Sequence, residues 1–141
     1  QGLDLPDHIT IPGDPSLAAY PIALHLLRSS RQLGEVVVRN VCLNPTRTGF
    51  FDVLRGAGAP IEYRNVRESC GELVGDIVGV GGDWQLQATA IDEEFIIHSL
   101  IDEIPLICAV YAAKRARLAL TNIHELSFKE TNRIVTTAGM L

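Results

Sequence analysis

Gly34-Glu35-Val36-Val37-Val38-Arg39-Asn40-Val41 is a β-branched run that ends in polar residues, and Leu43-Asn44-Pro45-Thr46-Arg47-Thr48-Gly49 follows it. β-branched side chains suit a pleated strand. Asn44-Pro45 places a cap and a proline where helices start, so the order predicts a strand and then a helix running to the Gly56-Ala57-Gly58 terminator. Val38-Arg39-Asn40-Val41 can be laid on Leu120-Thr121-Asn122-Ile123, 82 residues further on. Working outward, residues 9–11 alternate and stop at Pro12-Gly13, which predicts a short strand and a turn. Asp14-Pro15 then opens a helix to about Arg28, with Pro21 expected to kink it or delay its start. Residues 60–65 and 73–80 read as two strands forming a hairpin or adjacent pair. In the second half, residues 86–90 read as a strand, 104–113 as a helix, 116–123 as a strand and 127–141 as the start of another helix. The expectation is a mixed α/β (α+β) chain of repeated βαβαββ units, one complete over residues 1–83 and a second, truncated, over 84–141.

Composition limits what such a chain can do. With 141 residues, 47% hydrophobic and 21% charged, it suits compact folded structure rather than disorder. A net charge of −5 supplies no basic surface for a phosphate backbone, so nucleic acid is not an expected partner. Mean hydropathy is +0.18, yet stretches without Asp, Glu, Lys or Arg, such as 15–27, are too short to cross a bilayer, so no membrane span is expected. Cys42, Cys70 and Cys108 are odd in number and widely spaced, which reads as reduced thiols without a zinc site. The start at Gln1 and the end within an apolar-periodic segment predict a piece of a longer chain.

Three segments carry chemistry. In Glu125-Leu126-Ser127-Phe128-Lys129-Glu130-Thr131-Asn132-Arg133, Ser127 and Glu130 fit a capping box. Lys129 and Arg133 would then be cations near a helix N-terminus, where the dipole disfavours them unless an anion is bound. In Ile101-Asp102-Glu103-Ile104-Pro105, Asp102 is either a helix cap or a proton acceptor at the mouth of a cleft. Arg47, in the Asn44–Gly49 stretch, holds the corresponding place of the first repeat. If the helices run parallel, their positive ends share one side of the molecule. Gly79-x-Gly81-Gly82 opens no helix and reads as a turn, and His8, His25, His98 and His124 show no metal spacing.

Read together, Ile11-Pro12-Gly13-Asp14, Arg39-Asn40-Val41, Leu43–Gly49, Ile101–Pro105 and Lys129-Glu130-Thr131-Asn132-Arg133 resemble, in the same order, the 5-enolpyruvylshikimate-3-phosphate (EPSP) synthase family. The resemblance implies about a third of such an enzyme, in the enolpyruvyl transferase fold. It implies transfer of the carboxyvinyl group of phosphoenolpyruvate to the 5-hydroxyl of shikimate 3-phosphate, with release of phosphate and no metal or organic cofactor. By the same resemblance Asp102 holds the shikimate hydroxyls and accepts a proton, and Glu130 protonates the methylene carbon. Lys129 lies near the target hydroxyl, and Arg133 binds the phosphoenolpyruvate carboxylate. Leu17, Phe128 and Asn132 depart from the family pattern, Asn132 standing where Asp is usual. The resemblance further implies a monomeric full-length parent, cytoplasmic or in a plant plastidic, inhibited by glyphosate, of which this piece alone is inactive. The rival readings are the sister transfer to UDP-N-acetylglucosamine and a non-catalytic module that binds an anion or a partner.

Overall fold

The computed structural model describes residues 8–28, 34–129 and 131–141. Helix α1 (Pro15–Arg28) starts where the Asp14-Pro15 signal places it. Asp14 accepts the Ser16 N–H at 3.0 Å, the bond expected of a capping aspartate. The helix continues through Pro21. Residues 9–11 form no strand; only an isolated parallel bridge joins Gly13 to Val41, through Gly13 N–H to Asn40 C=O at 2.7 Å and Cys42 N–H to Gly13 C=O at 3.0 Å. Ile11 is 84% exposed and has no core face to hold it in a longer ladder.

Strand β1 (Glu35–Cys42) leads into helix α2 (Gly49–Gly56), which starts later than Asn44-Pro45 suggests. The Asn44 side-chain amide oxygen accepts both the Thr46 N–H at 3.0 Å and the Thr46 hydroxyl at 2.8 Å, and Arg47 N–H donates to the Asn44 backbone C=O at 2.8 Å. Asn44 thus closes a separate turn in place of capping the helix. Strands β2 (Ile61–Ser69) and β3 (Glu72–Val80) form the expected hairpin, and β3 lies between β1 and β2, antiparallel to both.

Both outer strands carry one extra residue opposite the same level of β3. The register shifts between Val38 and Val41 on one side and between Arg64 and Arg67 on the other. Asn40 (φ 55°) and Asn65 (φ 52°) take the left-handed conformation inside these bulges. Asp76 joins them: its carboxylate accepts the Asn40 N–H at 2.9 Å and the Asn65 side-chain amide at 2.8 Å. The Asn65 bond first, then the Asn40 bond, hold Asp76 below the ordinary carboxylate range.

In the second half, β4 (Thr89–Ile91) is followed by a short helix α3 (Glu94–Ser99), which the sequence pattern did not suggest. Helix α4 (Ile104–Ala113) matches its expected bounds. Strand β5 (Leu118–Leu120) pairs parallel with β4. Asn122 (φ 58°), 82 residues after Asn40, shares its left-handed backbone.

Residues 127–141 are not one helix. A 3₁₀ turn (His124–Phe128) precedes α5 (Arg133–Met140), and the Ser127 hydroxyl donates back to His124 C=O. The expected Ser127–Glu130 capping box therefore does not engage Ser127 as a cap, and Glu130 lies outside the described residues. Asn132 is the cap, accepting the Val135 N–H at 3.2 Å.

One apolar cluster runs through both halves, including Ile22 and Leu26 of α1, Phe50, Phe51 and Leu54 of α2, Ile77 of β3, and Ile107 and Val110 of α4. Helix α1 packs on α4, α2 on α3, and α4 on α5, which fixes the helix starts relative to one another. Among the described residues no helix is long and apolar enough to cross a membrane.

Candidate active site

The starts of three helices and the turn before α2 meet at one cavity of about 560 Å³. Asp14 and Ser16 come from the start of α1, Arg47 from the turn, Asp102 and Glu103 from the start of α4, and Arg133 from the start of α5. The helix starts direct their N–H ends toward this cavity, and its charged lining mixes the acids Asp14, Asp102 and Glu103 with the cations Arg47 and Arg133. A second cavity, of about 410 Å³, is lined by Asp92 and Glu93 with no basic side chain, and its charge does not suit an anion.

Asp102 lies in the turn just before α4, and the helix is entered through Glu103. The Asp102 carboxylate points to the other expected residues: Arg133 donates to its Oδ1 at 3.1 Å, and Lys129 Nζ stands 3.5 Å from the same oxygen. The structure thus brings together Asp102, Lys129 and Arg133, three of the four residues singled out in the sequence. Half-exposed ion pairs of this kind contribute about 0–1 kcal/mol each, too little to make stability their evident purpose. Their geometry is that of one acid held between two cations. Arg133 is the first residue of α5, where the helix dipole disfavours a cation, and the Asp102 charge compensates. Asn132 uses its side-chain amide oxygen to cap α5.

Arg47 forms the other rim. Its Nη2 donates to Asp14 Oδ1 at 3.1 Å and to Ser16 Oγ at 3.1 Å. Beneath it lies Glu103, which sequence reasoning passed over in favour of its neighbour. Glu103 is 6% exposed, and its Oε1 has no hydrogen-bond partner among the described residues. Burial pushes its carboxyl above the ordinary range; the Ser16 hydrogen bond pulls the other way, and the Asp102 charge adds to the rise. The only signal in the sequence was two adjacent acids, one of which must turn inward if the other faces the cleft.

The raised carboxyl has a measurable sign. The folded state holds the Glu103 proton more tightly than the unfolded chain, so this group favours folding below the unfolded carboxyl range. That advantage is lost as pH rises through the folded value. A Glu103→Gln variant is expected to unfold at the same temperature as wild type near pH 4 and at a higher one near pH 8. Thermal melts across that interval check it, and a difference that is constant with pH would contradict it.

Residues 2–141 match the family model described as EPSP synthase (3-phosphoshikimate 1-carboxyvinyltransferase). The chain belongs to the EPSP synthase family. It is 44% identical over 124 residues to a 3-phosphoshikimate 1-carboxyvinyltransferase of Chlorobium phaeobacteroides (strain BS1), covering 88% of this chain and 28% of that protein. It is 41% identical over 133 residues to the Caldicellulosiruptor saccharolyticus protein of the same name, covering 94% and 29%. Among solved structures, an EPSP synthase from Acinetobacter baumannii superposes with a TM-score of 0.81 at 32% identity, covering 93% of this chain and 28% of that one. The mixed α/β fold is therefore that of an EPSP synthase segment, and the chain spans less than a third of the length of these relatives.

Proposed function

We propose that this chain is part of a longer 3-phosphoshikimate 1-carboxyvinyltransferase and supplies acid–base and cationic groups to its active site. The observation that carries the proposal is the Asp102 carboxylate held between Lys129 and Arg133 on a cavity where helix starts converge. Membership of the EPSP synthase family supports the shikimate reading over transfer to UDP-N-acetylglucosamine.

In this reading the 5-hydroxyl of shikimate 3-phosphate attacks C2 of phosphoenolpyruvate, and Asp102 accepts the hydroxyl proton. Glu130 gives a proton to the methylene carbon, and a tetrahedral intermediate results. Loss of phosphate from C2 and return of a methyl proton to Glu130 restore the vinyl group. Arg133 binds the phosphoenolpyruvate carboxylate and Lys129 lies by the reacting hydroxyl, so charge is met by groups already in place. We read residues 1–83 as one βαβαββ unit, its first strand represented among the described residues by the Gly13–Val41 bridge alone, and 84–141 as the beginning of a second; the shared left-handed asparagines at positions 40 and 122 support this division. The parent is a monomer of the cytoplasm, or of the plastid in a plant, and glyphosate competes with phosphoenolpyruvate. No cofactor takes part in this scheme.

The test is phosphate release by the full-length parent, beside its Glu130→Gln variant and the 141-residue chain alone. Release is expected from the parent only when phosphoenolpyruvate and shikimate 3-phosphate are both present. The folded variant should be nearly silent and the short chain inactive. A folded parent that releases no phosphate, or does so with UDP-N-acetylglucosamine instead, would overturn the proposal.

A further inference from the structure

Helix α5 (Arg133–Met140) has eight residues, of which only Thr137 is buried. A helix so short is marginal by itself, and with so little packing to hold it, the bonds of its first turn decide where it starts. Those bonds converge on Asn132. Its side-chain amide oxygen accepts the Val135 N–H at 3.2 Å, and its backbone C=O accepts the Thr136 N–H at 3.1 Å and the Thr136 hydroxyl at 3.2 Å. Its backbone is extended (φ −70°, ψ 90°), as a cap requires. Asn132 is exposed, so packing in the core does not account for the residue.

The next residue is Arg133, which donates to Asp102 Oδ1 at 3.1 Å. A cation at the first position of a helix opposes the dipole, and a first turn that frays moves the point from which the side chain reaches out. We infer that Asn132 is a positioning residue: by capping α5 it fixes the start of the helix and so holds the Arg133 guanidinium at the Asp102 carboxylate, on the wall of the cavity. The inference rests on the functional reading above for its kinetic consequence, since there Arg133 binds the phosphoenolpyruvate carboxylate. Its geometric content is independent of that reading. Asn132 touches no reacting atom in this scheme and acts through its neighbour.

The experiment uses the full-length parent with Asn132→Ala, Asn132→Asp, Asn132→Ser, Arg133→Ala and the double variant Asn132→Ala/Arg133→Ala. Loss of a cap shifts the equilibrium between a formed and a frayed first turn by about 2- to 30-fold. Asn132→Ala is therefore expected to raise KM for phosphoenolpyruvate by about 3- to 10-fold. KM for shikimate 3-phosphate and kcat should stay within about twofold of wild type, because the lost contact is one of binding to a single substrate. Asp and Ser share with Asn an oxygen able to cap, and both should keep KM for phosphoenolpyruvate within about twofold. The double variant should bind phosphoenolpyruvate no more weakly than Arg133→Ala, because the cap acts only through Arg133. A merely structural role would lower the active fraction, hence kcat, and leave both KM values unchanged. That result, a rise shared equally by both substrates, losses that multiply, or no rescue by Asp and Ser would overturn the proposal. A crystal structure of Asn132→Ala decides the geometry without reference to turnover. Arg133 displaced from Asp102 supports the cap, and Arg133 still bonded to Asp102 as in the wild type refutes it. If the wild-type parent itself does not turn over, the functional reading falls while this structural comparison still judges Asn132.

Discussion

Replacing Asp102 by Asn in the full-length parent is expected to lower turnover of phosphoenolpyruvate and shikimate 3-phosphate by about 10²- to 10⁴-fold, the usual range for removing a positioned acid or base. The amide keeps the size of the side chain and can still accept a hydrogen bond from Arg133. It can neither take the hydroxyl proton nor balance the two cations that converge on Oδ1. The effect should fall on kcat, since a group that matters in the transition state and little in the ground state acts there. Stability should change by no more than about 2 kcal/mol, because it loses two partly exposed pairs of about 0–1 kcal/mol each. Steady-state kinetics together with a thermal melt separate the two quantities. A variant that turns over as fast as wild type would remove Asp102 from the chemistry, whatever its surroundings.

The second large effect is on folding. Gly49 begins α2 against the end of α3, and a Cβ placed there would lie 2.8 Å from the carbonyl carbon of Ser99 and 2.9 Å from its oxygen. These are backbone atoms, which cannot swing aside as a side chain can. Gly49→Ala is therefore expected at the upper end of overpacking costs, about 3 kcal/mol. For a domain of this size that lowers Tm by roughly 10 °C. Calorimetry of the wild-type and variant proteins measures it, and an unchanged Tm would mean that α3 moves away without cost. In the sequence Gly49 was only the last letter of a turn-like stretch, because the helix it must accommodate lies some 45 residues further on.

What could be read from the sequence was decided by local physics. Asp14-Pro15 worked as a helix start because cap and proline serve the same orphan N–H groups, and α4 was found from its unbroken apolar run after an acidic turn. Asn44-Pro45 and Ser127 failed for one shared reason. Each polar side chain had two local partners available, and each chose the one that closes a turn or points backward, Asn44 toward Thr46 and Ser127 toward His124. Helix α3 escaped notice because six residues are too few to show a helical period. For the site, Asp102, Lys129 and Arg133 stood out by residue type and motif, but their meeting on one carboxylate oxygen depends on α4 packing against α5, a contact no periodicity reveals. Glu103 was hidden for the opposite reason: its neighbour offered the simpler account of the same two acids.

The carboxylate of Asp76 has a bearing on how the sheet is assembled. The β2–β3 hairpin closes locally, whereas β1 must be brought in from the far side of α2. A one-residue slip of β1 would turn its inward side chains outward and, in the same movement, carry the Asn40 amide away from Asp76. Packing and hydrogen bonding thus fail together, and a misaligned strand gains nothing by lingering. The hairpin, with Asn65 already seated on one oxygen of Asp76, works as a template whose other oxygen accepts the incoming strand in one alignment only.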